Sequence, residues 1–379
     1  MFEYFPGNYS VSQSILIALI GGANISEIDE ACSPLKELSD HGDEHAQEAW
    51  HESWKTLGKR SEGLAARDEE SGRYLSAGRK YLSAANYYII AERHVSNRDP
   101  RKLETYTRGL EAFKKGIQLG GEPVEFVEIP FKDASLPALY IPPFGEGPAP
   151  CMIHFDGSDT LKESIYLAHR QEFRRRGIAL LIVDHPGVGE ALRLRNIHLE
   201  PESEFPAAAC VDYLESRSDI DSDRIGIMAL SLGGYWAPRA AAFEKRLKCC
   251  VAWGACWEFE TFVRETAARS GLSFQFGWSS GKDTVEEALE VAKKLTLEGI
   301  ADKIICPLLV LHGENDRLLP LWHAEKTIEK AVNSPGRELK VFTHAEGGSE
   351  HCQVDNNAMG VEYMADWVAE KLGGNPKGV

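Results

Sequence analysis

Ile225-Gly226-Ile227-Met228-Ala229-Leu230-Ser231-Leu232-Gly233-Gly234 runs from an apolar strand into small residues, and Tyr235 to Phe243 continues it as a helical stretch. A serine on such a sharp turn is forced outward at the carboxyl edge of a sheet. The small residues Ala229 and Gly233 let the turn close without clashes. Ala229 stands where the G-x-S-x-G pattern has its first glycine, so the segment by itself also fits a serine in an ordinary turn or helix cap.

Working outward from Ser231, short β-branched and apolar runs recur between turns: Val124 to Phe131, Ala138 to Ile141, Cys151 to Phe155, Ile178 to Val183, Arg224 to Ala229, Cys249 to Trp253, Leu308 to His312 and Leu339 to Thr343. The later runs are apolar almost throughout, as strands covered on both faces must be, and the stretches between them are long enough for crossover helices. The expectation is an α/β, doubly wound, mostly parallel sheet of about eight strands spanning residues 121–379. Residues 257–300 are too many for a plain connection and predict a helical lid inserted over the strand ends.

Upstream the period changes. Ala46, Ala49, Trp50, Trp54 and Leu57 form one helical stripe, Leu75, Gly78, Tyr81, Leu82, Ala85 and Ile89 a second, and Leu103, Tyr106, Leu110, Phe113 and Ile117 a third. Asn97-Arg98-Asp99-Pro100 separates the last two and Gly120-Gly121 closes the third, so residues 1–120 read as an N-terminal helical domain. Their spacing faintly suggests helical repeats, but no repeated signature supports a solenoid.

Composition narrows the partners. With 379 residues, 43% hydrophobic and 26% charged, the chain can bury a full core and carry a second small domain. A formal charge of -16 repels polyanions, which argues against nucleic acid. The eight cysteines show no C-x-x-C spacing and several lie in apolar runs, predicting free buried thiols in a reducing, cytoplasmic setting. Ile15 to Ile20 is the longest N-terminal apolar run and falls well short of the ~20 residues of a membrane span, so no membrane anchor is expected.

Chain order then assembles a site. Asp316 lies just beyond the strand Leu308 to His312, and His351 in the loop Glu346-Gly347-Gly348-Ser349-Glu350-His351-Cys352 after the last strand. A serine, then an acid, then a histidine, all at the edge where ligands bind open sheets, is the order of a nucleophilic triad. A serine hydroxyl is a poor nucleophile at neutral pH, so His351 would take its proton and Asp316 would fix the imidazole tautomer. Glu314 is the rival acid. The backbone N-H of Leu232 should face a developing oxyanion, with a second donor from Gly157 or Asp156 in the loop after the Cys151 strand. His185, in His185-Pro186-Gly187-Val188-Gly189-Glu190, reads either as pocket wall or as a structural turn. His41-Gly42-Asp43-Glu44-His45 matches an H-x-x-E-H zinc pattern, but Gly42 interrupts it, Asp40 reads as a helix cap, and no third ligand is evident. A solvated first helical turn is the expectation there, with no metal and no cofactor.

Ala138-Leu139-Tyr140-Ile141-Pro142, His185 to Glu190, Ala229 to Gly234, His312 to Asp316, Gly347 to Cys352 and the helical Tyr81-Leu82-Ser83-Ala84-Ala85-Asn86-Tyr87-Tyr88 together resemble one branch of the α/β-hydrolases. That branch holds the fungal polyketide-shortening hydrolases of the yellowish-green pigment type and the bacterial 2,6-dihydroxypseudooxynicotine hydrolase. The resemblance implies hydrolysis of a carbon-carbon bond beside a ketone in a polyketide or acyl-aromatic small molecule, within secondary metabolism such as pigment formation. It also implies a homodimer built partly on the helical half, and a substrate-contacting glutamate, for which Glu258 is the nearest counterpart and Glu260 competes. The same serine chemistry serves an ester, lactone or acyl-transfer reaction equally well, and a hydrolase fold kept as a small-molecule receptor is a third reading.

Overall fold

The computed structural model describes residues 1–36, 44–267 and 272–378. Its close contacts divide the chain into two units, Met1–Val124 and Glu125–Val379.

The first unit is helical: α1 (Tyr9–Ile20), α2 (Ile25–Cys32), α3 (Glu44–Glu70), α4 (Tyr74–Arg93) and α5 (Pro100–Gly120). The three predicted stripes fall on α3, α4 and α5. Asp99 caps α5 by accepting the Arg101 N-H at 2.9 Å, and Gly121 ends it in the left-handed conformation. The helical region starts earlier than the periodicity suggested. The Ile15 to Ile20 run belongs to α1, whose Val11, Ile15 and Ala18 pack with Trp50, Trp54, Tyr87 and Ile90. Among the described residues no helix is long and apolar enough to cross a membrane.

The second unit is an eight-stranded sheet among the described residues: β1 (Glu125–Phe131), β2 (Ala134–Ile141), β3 (Ala149–Phe155), β4 (Ala179–Val183), β5 (Ile220–Leu230), β6 (Cys250–Trp253), β7 (Leu308–Gly313) and β8 (Arg337–Phe342). Their order is β1-β2-β4-β3-β5-β6-β7-β8; β2 is antiparallel to its neighbours and the rest are parallel. Strands β3, β4, β6 and β7 are buried at every position, which is why they read as unbroken apolar runs. β5 begins earlier than expected because its polar start, Asp221 to Arg224, looks like a turn.

Helices α6 (Lys162–Arg175), α7 (Gly189–Arg193), α8 (Glu204–Glu215), α9 (Gly233–Phe243), α13 (Trp322–Lys330) and α14 (Asn357–Leu372) connect and cover the strands. Side chains alternate along a strand. Ile153, Phe155, Ile227 and Ala229 therefore share a core with Val211, Tyr235 and Trp236 of α8 and α9. His154 and Trp253 point to the other face, each against His169 of α6 at ring distances of 5.7 and 5.0 Å.

Three helices, α10 (Glu260–Ala267), α11 (Leu272–Ser279) and α12 (Val285–Ala292), occupy the stretch between β6 and β7. Its neck is closed by backbone bonds, Leu297 N-H to Trp257 O at 2.9 Å and Phe259 N-H to Leu295 O at 3.1 Å. Leu199 N-H to Ser279 O at 2.7 Å ties it to the segment after β4.

Strand order reverses around β3, since the chain goes from β3 to β4 on one side and then to β5 on the other. The loops leaving β3 and β5 therefore diverge at their carboxyl ends and open the crevice where ligands bind such sheets.

Candidate active site

Register brings the ends of three strands level. Leu230 pairs with Trp253 and Trp253 with Leu311, so Ser231, Gly254 and His312 follow side by side. Ser231 sits at φ 61, a left-handed conformation that costs a residue with a side chain of order 1–3 kcal/mol. The turn is held by Ser231 N-H to Trp253 O at 2.7 Å and Gly234 N-H to Ser231 O at 2.8 Å. A Cβ on Gly254, at φ +77, would lie 2.7 Å from Cys352 Sγ, so glycine lets the Ser231 turn and the His351 turn approach this closely.

Three predicted side chains meet here. His351 Nε2 lies 2.8 Å from Ser231 Oγ, and His351 Nδ1 lies 2.6 Å from Asp316 Oδ2. Asp316 Oδ1 accepts the backbone N-H groups of Leu318 and Leu319, both at 2.9 Å. The imidazole is thus oriented with Nδ1-H on the carboxylate and Nε2 free to accept from the hydroxyl. Burial opposes charging of His351, but the Asp316 carboxylate and then Cys352 outweigh it and raise its pKa well above 6.5. Burial pushes Asp316 the other way, and the His351 charge overcomes it, so its carboxyl stays below the usual 3.8. Glu314, the rival acid, is exposed and receives the His344 N-H instead.

Gly157 lies against Ser231: a Cβ there would come within 3.0 Å of Ser231 Cβ and of Leu230 O. Its N-H donates to Thr160 Oγ1 at 3.3 Å. The Leu232 N-H stands at the N-terminus of α9, where helix N-H groups have no intrahelical acceptor. The Asp156 side chain faces Asp184, and burial followed by the Asp184 charge raises its pKa well above 3.8.

His185 is buried, its ring 4.8 Å from Phe155 and 5.6 Å from Trp236. Its Nε2 lies 3.2 Å from Asp156 O, and burial pulls its pKa down to about 4. It braces the loop after β3 through that contact. Glu258 Oε2 accepts the Thr261 N-H at 3.0 Å at the start of α10, while Glu260 pairs with Arg264.

Several contributors carried no sequence signal. His312 Nε2 lies 2.8 Å from Leu319 O and 3.7 Å from Asp316 Oδ2, bracing the acid loop. Lys162 is buried among Glu163, Asp184 and Glu190 at 2.7, 2.8 and 3.0 Å. All eight cysteines are buried and unbridged. Of the H-x-x-E-H pattern, His41, Gly42 and Asp43 lie outside the described residues, as does the capping candidate Asp40, and His45 is exposed. Glu48, His51 and Glu52 have ligand atoms within 4.8 Å of one another, but Arg101 and Lys55 already pair with the two carboxylates.

With the serine turn, the mostly parallel sheet and the helical unit described, comparison with known proteins becomes decisive. Residues 35–266 match the family model described as Esterase FrsA-like, and residues 166–375 that of the prolyl oligopeptidase family. The chain belongs to the esterase FrsA-like α/β-hydrolases. Hydrolase ORFZ of Pyricularia oryzae is 32% identical over 95% of either chain. The 2,6-dihydropseudooxynicotine hydrolase of Paenarthrobacter nicotinovorans is 29% identical, covering 85% of this chain and 84% of its own. The crystal structure of the 2,6-dihydroxy-pseudo-oxynicotine hydrolase superposes with a TM-score of 0.79 at 28% identity, covering 94% of this chain and 95% of that one. This esterase FrsA-like chain is accordingly an α/β-hydrolase enzyme of the branch that its motifs resemble.

Proposed function

We propose that this hydrolase cleaves a carbon-carbon bond beside a ketone in a polyketide or acyl-aromatic substrate, with Ser231 as nucleophile, His351 as base and Asp316 as orienting acid. The observation that carries this reading is the two-link chain Ser231 Oγ, His351 Nε2 at 2.8 Å and His351 Nδ1, Asp316 Oδ2 at 2.6 Å, mounted on a serine at φ 61. Ser231 Oγ adds to the ketone carbon while its proton passes to His351 Nε2. The Leu232 N-H, with a donor from the Asp156–Gly157 loop, faces the resulting oxyanion. Collapse breaks the carbon-carbon bond; the leaving carbon takes its electron pair as an enolate or phenolate carbanion and the proton from His351. Water, deprotonated by the same imidazole, then releases the acid from Ser231.

The relatives named for a pseudooxynicotine support the ketone, while the family description as an esterase favours the second reading, an ester, lactone or acyl-transfer reaction on the same residues. A panel of β-diketones, acyl-phenols and aryl esters separates the two. Turnover of the ketones is the expected result; rapid aryl-ester cleavage with no ketone turnover overturns the carbon-carbon assignment. A fluorophosphonate should label the wild-type protein and leave Ser231→Ala unlabelled, whereas an unlabelled wild type removes the nucleophile.

The reading includes a homodimer built partly on residues 1–120, which the exposed apolar side chains of Tyr74 and Leu75, 55% and 74% accessible, support. Light scattering should give twice the 42.0 kDa chain mass, and a single chain mass refutes the dimer.

A further inference from the structure

The histidine turn is unusual in its backbone. Cys352 and Gln353, directly after His351, both adopt left-handed conformations, at φ 49 and 50, which side-chain-bearing residues avoid. The turn is short, closed by Gln353 N-H to Glu350 O at 3.0 Å and Val354 N-H to His351 O at 3.1 Å. Such a conformation persists only where surrounding contacts over-determine it.

Those contacts converge on Trp253, the last residue of β6. Its indole Nε1-H donates to Gln353 Oε1 at 2.6 Å. Its carbonyl accepts from Ser231 N-H at 2.7 Å and from Cys352 Sγ at 3.4 Å. One residue thereby holds the backbone of the serine and the turn of the histidine. Gln353 is fully buried and closely fitted: a Cβ on Gly360 would lie 2.9 Å from Gln353 Oε1, and one on Gly348 would lie 3.0 Å from its Cγ. An indole nitrogen is a donor only, which fixes the carboxamide with its oxygen toward Trp253.

We propose that Trp253 and Gln353 are positioning residues whose buried hydrogen bond holds the left-handed turn that aims the His351 imidazole at Ser231 Oγ. The inference rests on the reading of Ser231 as nucleophile and His351 as base. Neither residue touches the reacting atoms; they act by fixing a distance, and a displacement near 1 Å in such geometry costs on the order of 10²-fold in rate.

The test is the rate of fluorophosphonate labelling of Ser231 across a pH series, taken per folded molecule, in the wild type, Trp253→Phe, Gln353→Leu, the double variant and Gln353→Glu. Labelling should slow about 10- to 100-fold in each of the first two variants. The double variant should be no slower than the worse single one, because both remove the same bond. Gln353→Glu, which restores an acceptor oxygen, should recover to within about threefold of wild type. A labelling rate unchanged within twofold per folded molecule, even with a lowered melting temperature, overturns the proposal and leaves the nucleophile standing. So do additive losses in the double variant. Should one single variant fail to fold, the other and Gln353→Glu decide by the same criteria. An unlabelled wild type instead overturns the nucleophile assignment, and this inference with it.

Discussion

His351 and Lys162 are both buried, both lie against carboxylates, and both follow the carboxyl ends of strands of one sheet, His351 after β8 and Lys162 after β3. His351 has one acid behind it and one hydroxyl before it, and the acid's other oxygen is satisfied by two backbone N-H groups. Lys162 faces three carboxylates, and Asp184 among them also accepts the backbone N-H groups of Lys162 and Glu190 at 2.9 and 2.7 Å. Burial opposes ionisation of Asp184, but the Lys162 charge wins and lowers its pKa, while the neighbouring Asp156 is driven to hold its proton. In the first cluster the second imidazole nitrogen faces a hydroxyl; in the second a single buried cation is shared among three carboxylates, one of which, Glu190, also pairs with Arg195. The same burial thus sets an imidazole between a carboxylate and a hydroxyl in one place and a cation among carboxylates in the other.

The sharpest way to break this comparison is to remove the imidazole. If the imidazole is the base, His351→Ala should lower kcat of the folded protein by at least about 10⁴-fold, and it should also lower the melting temperature because Asp316 is left buried without its partner. Turnover within tenfold of wild type would show that another base serves Ser231. Lys162→Met reverses the pattern. It leaves Asp184 and Glu163 buried without their cation, and breaking such a cluster costs about 3–5 kcal/mol. Urea denaturation should register that loss, with kcat of the folded fraction retained within several-fold; a catalytic collapse in stable protein would move Lys162 into the active machinery.

Titration sharpens the contrast further. His351 must be neutral to accept a proton, and its pKa lies above 6.5, so kcat/KM should rise with pH on the alkaline side of that value. Asp316→Asn removes the charge that raises it, so the limb should shift to lower pH while the rate falls by about 10⁴-fold through loss of the correct tautomer. A limb that does not move would detach Asp316 from His351. Stability rises with pH as well, through the histidines that burial holds neutral. His154, His185 and His323 are pulled from 6.5 to about 4, so the unfolded chain binds more protons between those values. Their stabilisation is complete above 6.5 and is lost as pH falls toward 4, and the melting temperature should drop across that window.

Legibility followed the same division. The strands could be read because burial on both faces leaves no polar alternation to confuse, and Ser231, Asp316 and His351 because chain order and strand ends constrain them together. Lys162-Glu163 could not be read, since a charged pair opening a helix looks like solvated surface until the sheet closes over it. Gln353 gave no signal because a left-handed backbone at a glutamine is imposed by tertiary contacts. α1 escaped because its apolar run was weighed against a membrane span and not against the aromatic residues of α3 and α4 that it meets. Gly157 was offered by the sequence as a backbone N-H donor in the loop after the Cys151 strand, but the engagement of that N-H by Thr160 is a local hydrogen bond that no spacing announces.

The smallest effect concerns Glu258, whose carboxylate stands at the N-terminus of α10 and accepts the Thr261 N-H at 3.0 Å. If capping is its whole task, Glu258→Gln keeps an acceptor oxygen and should change stability by less than about 1 kcal/mol, with KM and kcat unaltered. The resemblance to hydrolases with a substrate-contacting glutamate makes a different demand: KM should rise severalfold for a hydroxylated aromatic ketone and stay constant for a simple aryl ester that offers no such hydroxyl. A charged carboxylate accepts a hydrogen bond about twice as strongly as a neutral amide, which sets that modest size. Measuring both substrates on one variant separates the cap from the contact, because helix capping cannot distinguish what is bound elsewhere.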